Sequence, residues 1–136
     1  MLKAFIIDDE KYILDVLTRI LGFINVSVFT ASSGCEAMEK MKENDFDFIL
    51  LDLCLPEKKS LEWECCLKKI YLSKPIIIMS GYSEGQLPFE MNPFAYLTKP
   101  FGLKDVLQLV TEIEKKYSFN RNNLPIRVNK CMDALH

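Results

Sequence analysis

Three short stretches of the chain are apolar without interruption and end on a polar group. They are Ala4-Phe5-Ile6-Ile7 before Asp8, Phe48-Ile49-Leu50-Leu51 before Asp52, and Ile76-Ile77-Ile78-Met79 before Ser80. Runs of this length with no polar alternation predict strands covered on both faces. Val26-Ser27-Val28-Phe29 and Phe94-Ala95-Tyr96-Leu97 are weaker strand candidates, the second closed by Lys99-Pro100. Between the strands the apolar spacing becomes helical. Ile13, Val16, Leu17, Ile20 and Leu21 share one helix face, with Gly22 as the expected stop. Ala37, Met38 and Met41 mark a second helix, and Leu61, Cys65 and Ile70 a third. Leu103, Val106, Leu107, Val110, Ile113 and Tyr117 trace the clearest one. Segment 81–93 holds Gly81, Gly85, Pro88 and Pro93, which weaken or interrupt a helix, so a fourth helix there is expected to be short or distorted.

The alternation of strand and helix, repeated five times, predicts an α/β fold around a parallel sheet with helices on both faces. From Phe119 to His136 the chain is polar, with Asn120, Asn122, Asn123 and Pro125, and has no sustained period. The expected organisation is therefore one domain over 1–118 and a tail or linker over 119–136. A length of 136 residues suits a single domain with a real core.

Composition narrows the function classes. The chain is 49% hydrophobic and 26% charged, and no apolar run approaches the ~20 residues of a membrane helix, so a soluble protein with no membrane partner is expected. The few apolar residues before Asp8 are too short for a signal-peptide core, which makes the cytoplasm the expected location. Seventeen basic and nineteen acidic residues give a net charge of −2 without a long basic run, which argues against direct nucleic-acid binding. The cysteines, Cys35, Cys54, Cys65, Cys66 and Cys131, are odd in number and lack paired spacing, so reduced thiols are expected rather than a disulfide framework or zinc site.

In an open parallel sheet, ligands gather outside the carboxyl ends of the strands. The first strand ends in Asp8-Asp9-Glu10, the third in Asp52, the fourth in Ser80 and the fifth in Thr98-Lys99. Acids brought together at one edge repel unless a cation compensates. A hard divalent ion such as Mg²⁺ suits the cluster, since it takes oxygen ligands and commonly combines one or two carboxylates with phosphate oxygens. Lys99 adds a further positive charge, and the set could neutralise a transferring phosphoryl group. Each residue also has a plainer explanation. Asp9 could cap the first helix, Asp52 with Pro56 and Ser80 with Gly81 could form ordinary turns, and Lys99 could be a solvated surface charge. Their placement at one edge of one sheet is what those explanations do not account for.

These residues resemble the receiver domains of two-component response regulators. The resemblance runs from about Lys3 to Tyr117. It is carried by Ile6-Ile7-Asp8-Asp9-Glu10, by Thr30-Ala31-Ser32-Ser33-Gly34 with Glu36-Ala37, by Leu51-Asp52-Leu53 with Pro56, and by Tyr96-Leu97-Thr98-Lys99-Pro100-Phe101. It implies a flavodoxin-like (βα)5 doubly wound sheet in the order 2-1-3-4-5. It makes Asp52 the phosphoacceptor, Asp8 and Asp9 the Mg²⁺ acids, and Cys54 a ligand through its backbone carbonyl. Ser80 is then similar to the switch hydroxyl, Lys99 to the cationic partner of the phosphoryl oxygens, and Tyr96 to the aromatic that turns inward as Ser80 moves. Lys99-Pro100 is similar to the family's cis bond. The chain departs from the family at Lys58, Lys59 and Ser60, where an apolar residue, an acid and a glycine are usual, and at Gly81, where alanine is common.

The implied reaction is attack by the Asp52 carboxylate on a phosphohistidine of a sensor histidine kinase or phosphotransfer protein. Such a protein promotes its own phosphorylation and dephosphorylation and is not a conventional turnover enzyme. A downstream effector domain or protein would read the change. Two rivals are an Mg²⁺-dependent aspartyl phosphohydrolase and a degenerate receiver that acts as a phosphorylation-independent binding module. The first would usually carry a second acid where Cys54 stands; the second is opposed by retention of the five site residues.

Overall fold

The computed structural model describes residues 2–55, 60–81 and 87–122, with side chains through Lys116. In chain order the elements are β1 (Lys3–Ile7), α1 (Lys11–Phe23), β2 (Ser27–Ala31), α2 (Gly34–Met41) and β3 (Phe48–Asp52). They continue with α3 (Leu61–Tyr71), β4 (Ile76–Ser80), β5 (Ala95–Thr98) and α4 (Leu103–Asn122). The five strands form one parallel sheet in the order β2-β1-β3-β4-β5. This is the flavodoxin-like arrangement, and its strand order reverses between β1 and β3.

Side chains of adjacent strand residues point to opposite faces, so β1, β3 and β4 each feed two cores. Ala4, Ile6, Phe48, Leu50, Ile77 and Met79 pack with Leu17 and Leu21 of α1 and Val106, Val110 and Ile113 of α4. Phe5, Ile7, Ile49, Leu51, Ile76 and Ile78 pack with Ala37 of α2 and with Trp63 and Leu67 of α3. β3 and β4 are buried along their whole length, which is why their sequences are apolar without alternation.

Local signals set several of the helix ends. The Ser33 hydroxyl accepts from Glu36 N at 3.1 Å, and Glu36 Oε1 accepts in return from Ser32 N at 2.7 Å, fixing the start of α2. Ser60 likewise caps α3 by accepting from Trp63 N at 3.2 Å. Gly22, expected to stop the first helix, lies inside it. The chain turns instead at Asn25, whose φ of 61° is in the left-handed region that asparagine tolerates.

Two further expectations change. The last helix continues to Asn122, so Phe119 to Asn122, read as the start of an irregular tail, are helical; residues 123–136 lie outside the described set. Of the short or distorted fourth helix, residues 82–86 also lie outside it, and the described part from Leu87 to Phe94 contains no helix. Leu87, Phe89 and Met91 pack instead against the core beside α3. The Phe89 ring meets Tyr71 edge-on at 5.7 Å, and Asn92 N donates to the Tyr71 hydroxyl at 2.9 Å. Three apolar residues at spacing two, interrupted by Pro88, cannot lie on one face of a helix but can lie on one side of an extended chain.

Candidate functional site

β1 ends at Ile7, yet Asp8 N still donates to Ala31 O at 3.1 Å, which draws Asp8 into the sheet edge. Its side chain is fully buried, and its Oδ1 accepts from Glu10 N at 2.8 Å. Asp52, the last residue of β3, is 4% exposed and repeats this turn: its Oδ1 accepts from Cys54 N at 3.1 Å. Such local side-chain-to-backbone bonds fix carboxylates in place without help from other elements. Asp9 is exposed. Asp8, Asp9 and Asp52 can each offer an oxygen such that the three atoms lie within 4.8 Å of one another.

Lys99 reaches the same point from the far side of the sheet. Its backbone N donates to Ser80 O at 2.6 Å, and its peptide bond to Pro100 is cis. Nζ lies 2.8 Å from Asp8 Oδ2, 3.1 Å from Glu10 Oε1 and 3.7 Å from Asp52 Oδ1. The approach to Asp8 is close without alignment for a good hydrogen bond, and among the described residues this buried Oδ2 has no aligned donor. An oxygen in that condition, within a set of hard oxygen donors, fits a divalent cation.

The electrostatics follow from burial. Asp52 is pushed up from 3.8 to about 6, mainly by burial, with the charges of Asp8 and Asp9 adding and the Cys54 amide and Lys99 opposing. Burial by itself would lower Lys99, but the close carboxylates of Asp8 and Glu10 and the charge of Asp52 outweigh this and hold it above the ordinary lysine range. Lys99 therefore stays protonated. Removing it would leave two buried carboxylates uncompensated, a change that typically costs about 3–5 kcal/mol.

The structure thus brings together Asp8, Asp9, Asp52 and Lys99. The plainer explanation of Asp9 as a helix cap does not hold, because Glu10 occupies the N-cap position of α1. Ser80 ends β4 and is buried, one residue beyond Met79, the strand partner of Asp52. Tyr96 pairs with Ile78 in β5 but is half-exposed. Cys54 has an exposed side chain and contributes its amide. Pro56, Lys58 and Lys59 lie outside the described residues. Sequence reasoning gave Glu10 no role; its place beside Asp8-Asp9 was the available signal, but its pairing with Lys99 depends on closure of the sheet.

Residues 4–111 match the family model described as the response regulator receiver domain. The chain belongs to that family. It is 29% identical over 131 residues to the transcriptional regulatory protein CrdR of Helicobacter pylori, covering 93% of this chain and 59% of that protein. It is 32% identical over 117 residues to the alkaline phosphatase synthesis transcriptional regulatory protein PhoP of Bacillus subtilis, covering 84% and 49%. The receiver thus spans about half the length of such relatives. Among solved structures, a response regulator receiver domain protein from Clostridium thermocellum superimposes with a TM-score of 0.67 at 26% identity, over 88% of this chain and 99% of that one. A CheY-like receiver from Methanospirillum hungatei gives 0.69 at 25%, over 85% and 95%. Among the described residues, no helix is long and apolar enough to cross a membrane.

Proposed function

We propose that this receiver takes a phosphoryl group onto Asp52 from a phosphohistidine of a sensor histidine kinase or phosphotransfer protein in the cytoplasm. The observation that carries the reading is the position of Asp52, buried between two further acids and the Lys99 ammonium. A carboxylate oxygen of Asp52 attacks phosphorus and the P–N bond breaks, its electron pair passing to the imidazole nitrogen, which takes up a proton. The product is an acyl phosphate. Water later attacks phosphorus, releasing inorganic phosphate and restoring the carboxylate, so the domain promotes its own modification and its reversal.

Asp8, Asp9 and Asp52, with the backbone carbonyl of Cys54, would hold Mg²⁺. When bound, it supplies positive charge to the phosphoryl oxygens. Lys99 meets the remaining charge from within the protein, where its three N–H groups need no reorganisation. Cys54 N and the Asp8 turn keep both carboxylates oriented. Ser80 would give its hydroxyl to a phosphoryl oxygen, and Tyr96, now half-exposed, would turn inward as Ser80 moves. A downstream effector domain or protein would read that population shift, with the residues after the last helix serving as a linker. The test is intact mass after incubation with acetyl phosphate and Mg²⁺. One phosphoryl group is expected on the parent and none on Asp52→Asn; an unchanged gain in the variant would overturn the assignment.

A further inference from the structure

We infer that Glu10 is a positioning residue that competes with the incoming phosphoryl group for Lys99 and so sets how strongly the site draws an anionic phosphodonor. The inference rests on the reading of Asp52 as acceptor. Its first support is geometric: Glu10 Oε1 lies 3.1 Å from Lys99 Nζ, nearer than Asp52 Oδ1 at 3.7 Å, yet Glu10 is outside the trio of acids that gathers at the strand ends.

Its second support is that local structure does not use this carboxylate. Glu10 is the N-cap of α1 but makes no side-chain cap bond, and glutamate is not among the preferred caps. Only its backbone serves the helix, through its carbonyl, which accepts from Ile13 N and Leu14 N, and its own amide, which donates to Asp8. The side chain is free to serve Lys99.

Third, the three partners of Lys99 differ in what can displace them. Asp8 and Asp52 are buried and held by backbone bonds, whereas the Glu10 side chain is 59% exposed. A half-exposed ion pair is weak and easily opened. When a phosphoryl group arrives at Asp52, Glu10 is therefore the partner that yields its place on Lys99. Until then it takes a share of the ammonium's charge and adds a negative charge at the mouth of the site, repelling an anionic donor over a distance that salt shortens.

The experiment follows the rate of mass gain against acetyl phosphate concentration, with Mg²⁺ constant, at low and high ionic strength, for the parent, Glu10→Gln and Glu10→Asp. Glu10→Gln is expected to reach half-maximal rate at a donor concentration lower by about 3- to 10-fold at low salt, with the gap narrowing at high salt. Glu10→Asp keeps the charge and should stay nearer the parent. Equal half-saturation in parent and Glu10→Gln, a gap indifferent to salt, or Glu10→Asp behaving as Glu10→Gln would overturn the role of Glu10 alone. A parent that gains no phosphoryl group would overturn the reading of Asp52 along with it.

Discussion

On one face of the sheet, α1 and α4 lay Leu14, Leu17, Leu21, Val106, Val110 and Ile113 over the strands. On the other, α2 and α3 are joined by an irregular segment that contributes Leu87, Phe89 and Met91. Both faces bury apolar strand residues, but the means differ. A helix satisfies its own backbone groups, so its cover depends little on neighbours. The irregular segment must borrow partners, as Asn92 does from Tyr71. Local stability falls where such bonds and buried contacts are few. The same segment leads into β5 and Tyr96, so the irregular cover lies beside part of the proposed switch.

The largest expected effect tests this contrast in stability. Ile113→Ala, at a fully buried position on α4, should cost about 2–5 kcal/mol, whereas Phe89→Ala, at a partly buried one, should cost about 1–2 kcal/mol. Urea unfolding measures both. Equal costs would mean that the irregular segment is as firmly packed as the helix.

A smaller effect concerns the edge that the two faces share. In metal-free buffer the folded-state value of Asp52, about 6, exceeds the ordinary 3.8, so between these values the unfolded chain gives up its proton first. Stability contributed by this group is then lost as pH rises from about 4 to about 6, and the penalty is complete above that. Asp52→Asn removes it. The variant should be more stable than the parent by about 1–2 kcal/mol near pH 7, less than the full linkage value because nearby charges and solvent share the load, and the gain should vanish below about pH 4. Thermal unfolding across that range checks the sign; a gain independent of pH would remove burial of the charge as its cause.

The smallest effect sharpens the first. Tyr71→Phe deletes the acceptor of Asn92 N, whose amide is exposed enough to turn to water, so a cost of about 0.5–1 kcal/mol is expected. Hydrogen exchange at Asn92 should quicken while that at Val110 stays unchanged. Equal quickening at both would show that the two covers open together.

How far the sequence foretold this follows from the range of each interaction. The runs at Ala4–Ile7, Phe48–Leu51 and Ile76–Met79 were legible because burial on both faces removes every polar residue from a strand. Asp8, Asp52 and Lys99 were legible because each stands at the carboxyl end of a strand, and parallel strands bring such ends to one edge. Gly22 misled because a glycine can sit inside a helix when a later residue, here Asn25, takes the left-handed turn. Segment 87–91 was hidden by Pro88, although the spacing of Leu87, Phe89 and Met91 was an extended-chain signal. Glu10 was beyond local reasoning: its partner Lys99 stands 89 positions away.

The central claim is that Asp52 carries the phosphoryl group, and acyl phosphates can be trapped by borohydride, which reduces the modified carboxyl to an alcohol. After incubation with acetyl phosphate and Mg²⁺, reduction and digestion, the peptide spanning Leu51 to Leu53 should contain homoserine in place of Asp52, while Asp8 and Asp9 remain aspartate. Homoserine at Asp8 or Asp9 instead, or none in a protein whose mass shows the added group, would contradict the account.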